Sequence, residues 1–361
     1  MHSLHKFYKY FAWFILILTF VVIALGAWTR LVDAGLGCPD WPGCYGFISV
    51  PDTTHEIAIA ESRFPDAPVE VEKGWPEMIH RYFAGVLGLC IFALAGLSWR
   101  LHRHKHAHSY EVPVYLASFL AFWVVCQALF GLWTVTLKLW PQVVSVHLLG
   151  GMVTLCGVFL LLLKYYFPEK CFRDKTQFGN KTNLDLDLAS QLKHSGRFRV
   201  LCYCGFGLLV LQIALGGWLS SNYAALICPD FPYCQGRWWP EMDFSAGFNL
   251  LQPLGINYLG GQLSGEARTA IHYSHRILAL VIFLYFIGLL ISLFIHTSSP
   301  MIKRTIYTVA GLLGLQIVLG ITNVVAQVPL SIAVMHNLVA ALLLLSMIFL
   351  IYLLSHNRSN T

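Results

Sequence analysis

Eight stretches of this chain stay apolar long enough to cross a bilayer: near 10–29, 78–99, 112–135, 143–167, 199–221, 269–296, 302–325 and 330–355. About 20 residues at roughly 1.5 Å each span the ~30 Å of hydrocarbon. No water reaches backbone N–H and C=O groups in that layer, so each stretch is expected to form an α-helix. Composition agrees. Of 361 residues, 57% are hydrophobic and only 12% are Asp, Glu, Lys or Arg, about half the ~25% charge of a soluble domain. That balance excludes a disordered chain, a secreted disulfide scaffold and a nucleic-acid-binding module. The expected class is an all-α integral membrane protein, with the lipid bilayer as its first partner and no nucleic acid.

The basic residues orient the helices. Sixteen of the 24 fall on one side: Lys6 and Lys9, Arg100 to Lys105, eight residues between 164 and 199, Lys303, Arg304 and Arg358. The other side holds eight, together with Asp52, Glu56, Glu61, Asp66, Glu70 and Glu72. Both termini are therefore expected in the cytoplasm, with loops 30–76 and 222–268 outside. Ala24-Leu25-Gly26 is a tolerable signal-peptide cleavage site, but the repeat described next argues that the first helix is retained. No Arg-rich, Ser-rich transit segment precedes it, which points to a bacterial inner membrane.

The chain repeats itself. Ile23-Ala24-Leu25-Gly26-Ala27-Trp28 returns as Ile213-Ala214-Leu215-Gly216-Gly217-Trp218, and the Cys38–Cys44 segment CPDWPGC returns as CPDFPYC at Cys228–Cys234, both offset by 190 residues. His80-Arg81 matches His275-Arg276, His147 matches His336, and Gln127-x-x-x-Gly131 matches Gln316-x-x-x-Gly320. Repeats are diagnostic of duplicated architecture. Four helices per copy is an even number, so the copies share one orientation: two tandem, same-orientation four-helix bundles. This differs from the inverted repeats of many transporters. The expected organisation is an N-terminal unit over 1–167, a cytoplasmic linker over 168–198 and a C-terminal unit over 199–361.

Each unit places one histidine just inside its second helix and one just inside its fourth: His80 and His147, then His275 and His336. Ionisable groups within a span are costly and usually face a bundle interior. Two imidazoles from two helices of a four-helix bundle are what axial ligation of a haem requires. A closed structural zinc site needs four ligands, which neither pair supplies. A single such histidine would be read as a hydrogen bond between helices; four at matching positions favour iron. Arg81 and Arg276 each follow a histidine, where a planar fork suits a porphyrin propionate or a lipid headgroup. Glu77 lies one turn before His80 on the same helix face, and its counterpart in the second unit is His272. Only the first unit thus pairs a carboxylate with its histidines, which suggests chemistry there and a permanent redox group in the second. The simpler reading of Glu77 is a charge stabilised by a helix N-terminus.

An oxidising compartment permits disulfides Cys38–Cys44 and Cys228–Cys234, as structural staples or as exchangeable thiols. Cys90, Cys126, Cys156, Cys171, Cys202 and Cys204 read as apolar thiols. His102, His104, His106 and His108 alternate in a cytoplasmic loop with nothing nearby to complete a metal site.

Together, the duplicated eight-helix layout, Glu77-x-x-His80-Arg81, His147, His275-Arg276, His336 and the paired loop cysteines resemble the haem A synthase family over essentially the whole chain. The resemblance implies oxidation of the C8 methyl of haem O to a formyl group. His80 and His147 would hold substrate haem O, Glu77 would assist at the reacting methyl, and His275 and His336 would hold a haem b that relays electrons. It also implies a haem O synthase upstream, an electron donor, and a terminal oxidase assembly pathway downstream; it leaves a homo-oligomer open. Two other readings use the same histidines: a dihaem b-type cytochrome that oxidises quinol, and a haem-transfer or export protein.

Overall fold

The computed structural model describes residues 2–103, 112–166 and 195–356. Ten helices occur among them: α1 (His2–Leu31), α2 (Thr54–Arg63), α3 (Val71–Arg103), α4 (Val114–Thr136), α5 (Pro141–Tyr166), α6 (Ser195–Ser221), α7 (Phe244–Gly247), α8 (Gly265–His296), α9 (Pro300–Val325) and α10 (Leu330–His356). The eight long ones are apolar enough to cross a membrane, and the protein is a multi-pass membrane protein. Most of the linker expected at 168–198, with Cys171, and His104, His106 and His108 lie outside the described residues.

Several helices run past the apolar stretches that predict them. α3 starts at Val71, so the polar turn Glu72-Lys73 precedes its hydrophobic part. α6 starts at Ser195, inside the segment expected to be linker, because Arg197 and Arg199 can extend a helix beyond the hydrocarbon with charged tips in water. Helix α2 is an addition within the first long loop. Its start follows from a capping box: the Thr53 side chain accepts from Glu56 N while Glu56 reaches back to Thr53 N. Ser264 and Ser299 cap α8 and α9 more simply, each side chain accepting one main-chain N–H of the first turn, with Pro300 in the first turn of α9.

In the first half, α1 packs against α3 and α5, and α4 packs against the same two helices. In the second half α6 packs against α8 and α10, with α9 against those two. The halves meet through their first and last helices: α5 on α6, α1 on α10, and α10 on α5. At the loop end, Arg30 of α1 donates to Ser220 O and lies 4.0 Å over the Tyr223 ring. Ser145 and Ser221 hydroxyls meet at 3.3 Å across the same seam. The second loop leans back over the first half, where Tyr258 N donates to Lys138 O and Trp140 Nε1 to Gln252 O.

Packing differs along the helix axes. In the half away from the disulfide loops, one apolar cluster runs through both groups, with Ile15, Leu94, Leu155, Phe286, Leu344 and Leu350 buried. Lipid is as apolar as leucine, so contact density rather than water exclusion holds this part together. The half beside the disulfide loops is hollow.

Candidate functional site

A single cavity of about 2000 Å³ occupies that hollow half. It is roughly twice the upper end of ordinary ligand pockets. Its lining is mostly apolar, and Glu77, His80, Arg81, His147, His275, Arg276 and His336 all reach it. The structure thus gathers the four repeated histidines, both arginines and Glu77 around one space. The four cysteines lie outside it, fully buried in two disulfides, Cys38–Cys44 and Cys228–Cys234.

Each imidazole is seated in the same way. His80 faces Gly26 of α1, and a Cβ built on that glycine would lie 2.9 Å from His80 Cε1. His147 faces Gly131 of α4 at 3.4 Å, His275 faces Gly216 of α6 at 3.3 Å, and His336 faces Gly320 of α9 at 3.2 Å. A glycine on the preceding long helix therefore makes room for each ring. These glycines are visible in the repeated motifs, but their purpose depends on an approach between helices that spacing alone does not reveal.

Glutamines stand beside the rings, though not uniformly. Gln316 Nε2 lies 3.1 Å from His336 Nε2, and Gln212 Nε2 lies 3.2 Å from both ring nitrogens of His275. Gln127, the counterpart of Gln316, instead donates to the main-chain oxygen of His147 at 2.6 Å. The counterpart of Gln212 at the same 190-residue offset is Val22.

The two disulfide loops repeat in atomic detail. Asp40 accepts from Tyr45 N and Gly46 N, at 2.6 and 2.7 Å; Asp230 accepts from Gln235 N and Gly236 N, both at 2.7 Å. Tyr45 and Gln235 take left-handed backbone at φ 55° and 56°, followed by Gly46 and Gly236 at 79° and 71°. The second position is glycine in both loops, which takes that region without steric cost, and the two aspartates hold both amides in place. Both loops also contain a cis X-Pro bond, at Trp41-Pro42 and Phe231-Pro232.

Arg81 and Arg276 fasten these loops to the helices. Arg81 Nη1 donates to Asp40 O at 2.9 Å and to Gly43 O; Arg276 Nη1 donates to Asp230 O at 3.0 Å and Tyr233 O at 2.7 Å. A tight ring of seven residues leaves carbonyls without partners, and a guanidinium fork can take two at once. The third contact separates the units. Arg81 Nη2 pairs with Glu77 Oε1, whereas Arg276 Nη2 donates to Cys228 O at 2.9 Å and has no carboxylate partner among the described residues. Arg276 Nε is buried without a hydrogen bond, leaving a donor for an anionic group in the cavity.

Glu77 is 5% exposed. Its Oε2 accepts from Cys38 N at 3.0 Å, so the disulfide loop and Arg81 grip the carboxylate from two sides. Burying a charge is tolerable only with such pairing. At the corresponding position His272 is buried, its Nδ1 2.9 Å from Ala224 O. The helix-dipole reading of Glu77 is therefore incomplete, since two specific donors hold it at the cavity wall.

Haem suits this donor set. The cavity presents two imidazoles per unit within an apolar wall. Nδ1 of His80, His147 and His336 is buried without a hydrogen-bond partner. Among the described residues no group of three His, Cys, Asp or Glu could enclose a metal ion.

Comparison with known proteins agrees with this picture. Residues 9–348 match a family model described as cytochrome oxidase assembly protein, COX15-CtaA. The chain is 41% identical over 346 residues to a haem A synthase of Shewanella oneidensis, covering 96% of each. It is 27% identical to a haem A synthase of Wolbachia sp. subsp. Brugia malayi, over 94% of this chain and 95% of that one. To a haem A synthase of Lysinibacillus sphaericus it is 24% identical, over 98% and 97%. The chain belongs to the COX15-CtaA family of cytochrome oxidase assembly proteins.

Proposed function

We propose that this protein is a haem A synthase, a membrane oxidoreductase that converts the C8 methyl of haem O into a formyl group. The observation that carries the reading is one cavity with four glycine-seated histidines and a buried carboxylate on one side only. The change at the methyl, CH₃ + H₂O → CHO + 4 H⁺ + 4 e⁻, is a half-reaction: it needs a held substrate, a proton acceptor and an external oxidant that takes up the four electrons.

His80 and His147 hold haem O in the first unit. Glu77 lies one turn from His80 and takes protons from the reacting carbon or from the oxygen that adds to it. Arg81 and the Cys38 amide keep its oxygens aimed. His275 and His336 hold a haem b, which when bound supplies one-electron chemistry. Arg276, with a spare buried donor, binds a propionate of that haem.

The basic residues put both termini in the cytoplasm and the disulfide loops outside the bacterial inner membrane. The substrate comes from a haem O synthase and the product goes to terminal oxidase assembly. His275 and His336 would hold the haem b as the relay through which an external oxidant takes up those electrons. The test is expression of the full chain with and without a haem O supply, followed by extraction and mass identification of the haems. Haem A is expected only with the supply. Its absence in both would overturn the reading, and two stable b haems would indicate an electron-transfer cytochrome instead.

A further inference from the structure

The two units seat their histidines alike but support them differently. Gln212 projects from α6 toward His275, its Nε2 3.2 Å from each ring nitrogen and 3.1 Å from His275 O. Its Oε1 is buried and has no hydrogen-bond partner. Rotating the terminal amide half a turn would place that oxygen where the nitrogen lies, so one side chain can offer the ring either a donor or an acceptor. In the first unit the same position is Val22, which also lines the cavity but has no polar atom on its side chain. His80 Nδ1 is buried without a hydrogen bond, and the ring has the main-chain oxygen of Val22 beside it in place of a side-chain amide.

Metal-bound histidines usually give their second ring N–H to a neighbouring acceptor, which fixes the tautomer and the ring plane and makes the ligand more basic. A neutral amide buried at this depth with an unused oxygen is costly unless something completes it. Gln212 Nε2 lies equally far from both ring nitrogens, so with iron on one nitrogen a small turn of the amide brings its oxygen to the other N–H and completes it.

We propose that Gln212 is a positioning residue that locks His275 as a permanent axial ligand. The valine at the matching place leaves His80 less firmly held, so that the first unit can accept and release its haem. This rests on the haem assignment above and adds the reason why two similar sites keep different occupants: one exchanges substrate and product while the other retains its cofactor.

The test uses the full-length protein purified from cells without a haem O supply, so that haem b in the second unit is the species observed. The readouts are carbon monoxide binding to the reduced protein and the rate of haem loss to an apo-globin acceptor. Wild type is expected to be inert to carbon monoxide, both axial positions being filled. Gln212→Val should become reactive and lose haem about tenfold faster, the low end of what loss of such a partner costs in metal affinity. Gln212→Glu, which keeps an acceptor, should stay inert. A Gln212→Val protein indistinguishable from wild type in both readouts would overturn the proposal. Should that variant fail to accumulate, Val22→Gln provides the converse: haem O loaded into the first unit should leave about tenfold more slowly, and an unchanged rate would contradict the proposal. A wild-type protein that carries no haem would instead contradict the haem assignment itself.

Discussion

Gly26 and His80 lie on neighbouring helices, and a single added methyl on Gly26 would approach His80 Cε1 to 2.9 Å. Real Cβ atoms do not pack that closely, so the ring must move. Gly26→Ala should cost about 1–3 kcal/mol through overpacking and displace the imidazole from the cavity. The expected result is loss of the first unit's haem while the second unit keeps its own. Gly131→Ala, where the contact is 3.4 Å, should be much milder. Haem per protein, measured for both variants, checks the order; equal losses would contradict it.

Glu77→Gln should abolish haem A formation while leaving both haems bound. The amide can still accept from Cys38 N, but it cannot take a proton as a carboxylate does, and it leaves Arg81 without its ion-pair partner. Breaking a buried pair costs about 3–5 kcal/mol, so thermal stability should be compared in parallel. Product analysis at matched haem content is decisive: haem A at the wild-type rate would remove Glu77 from the chemistry.

Cys38 joins the staple to the site, because its amide holds Glu77 while its sulfur closes the loop. Replacing Cys38 and Cys44 with serine should cost about 2 kcal/mol from loop-closure entropy alone and slow the oxidation through a loosened Glu77. The matching pair at Cys228 and Cys234 contacts Arg276 rather than a carboxylate, so its loss should weaken retention of the second haem with less effect on the chemistry per haem. Turnover and haem content, measured separately, distinguish these results.

Tyr45 supplies a pH test outside the spans. Its hydroxyl donates to Pro68 O at 2.9 Å. Burial, then the nearby carboxylates Glu70 and Glu77, push the phenol up to about 12 from 10.0. The unfolded chain ionises near pH 10, so the stability from the neutral phenol is present below that value and lost as pH rises toward 12. Unfolding profiles between about pH 9 and 12 should fall more steeply for wild type than for Tyr45→Phe. Parallel profiles would contradict the assignment.

The repeat and the apolar runs carry most of the fold because a 190-residue offset preserves both helix count and motif order. The histidines were legible for the same reason: an imidazole within a span has few other uses. What spacing could not convey is how helices meet. The glycines opposite each ring matter only once α1 lies on α3 and α4 on α5. Arg81 and Arg276 sit where a propionate contact was expected, yet most of their donors hold loop carbonyls, because the carbonyl geometry of a closed seven-residue ring is not written in its residue types. Gln212 escapes a search for repeats because its counterpart is Val22. Helix α2 lies outside the apolar runs and is not among the helices expected from them, although the Thr53-x-x-Glu56 capping box is a local signal for it.

In the function proposed above, the first unit turns over its haem and the second keeps one, a division of labour between the units. It is tested most directly by identifying the haems extracted from His147→Ala and His336→Ala proteins, both expressed with a haem O supply. The first should lose haem O and haem A yet keep haem b, whereas the second should lose haem b while still binding haem O. Loss of the same haem from both variants would contradict the account.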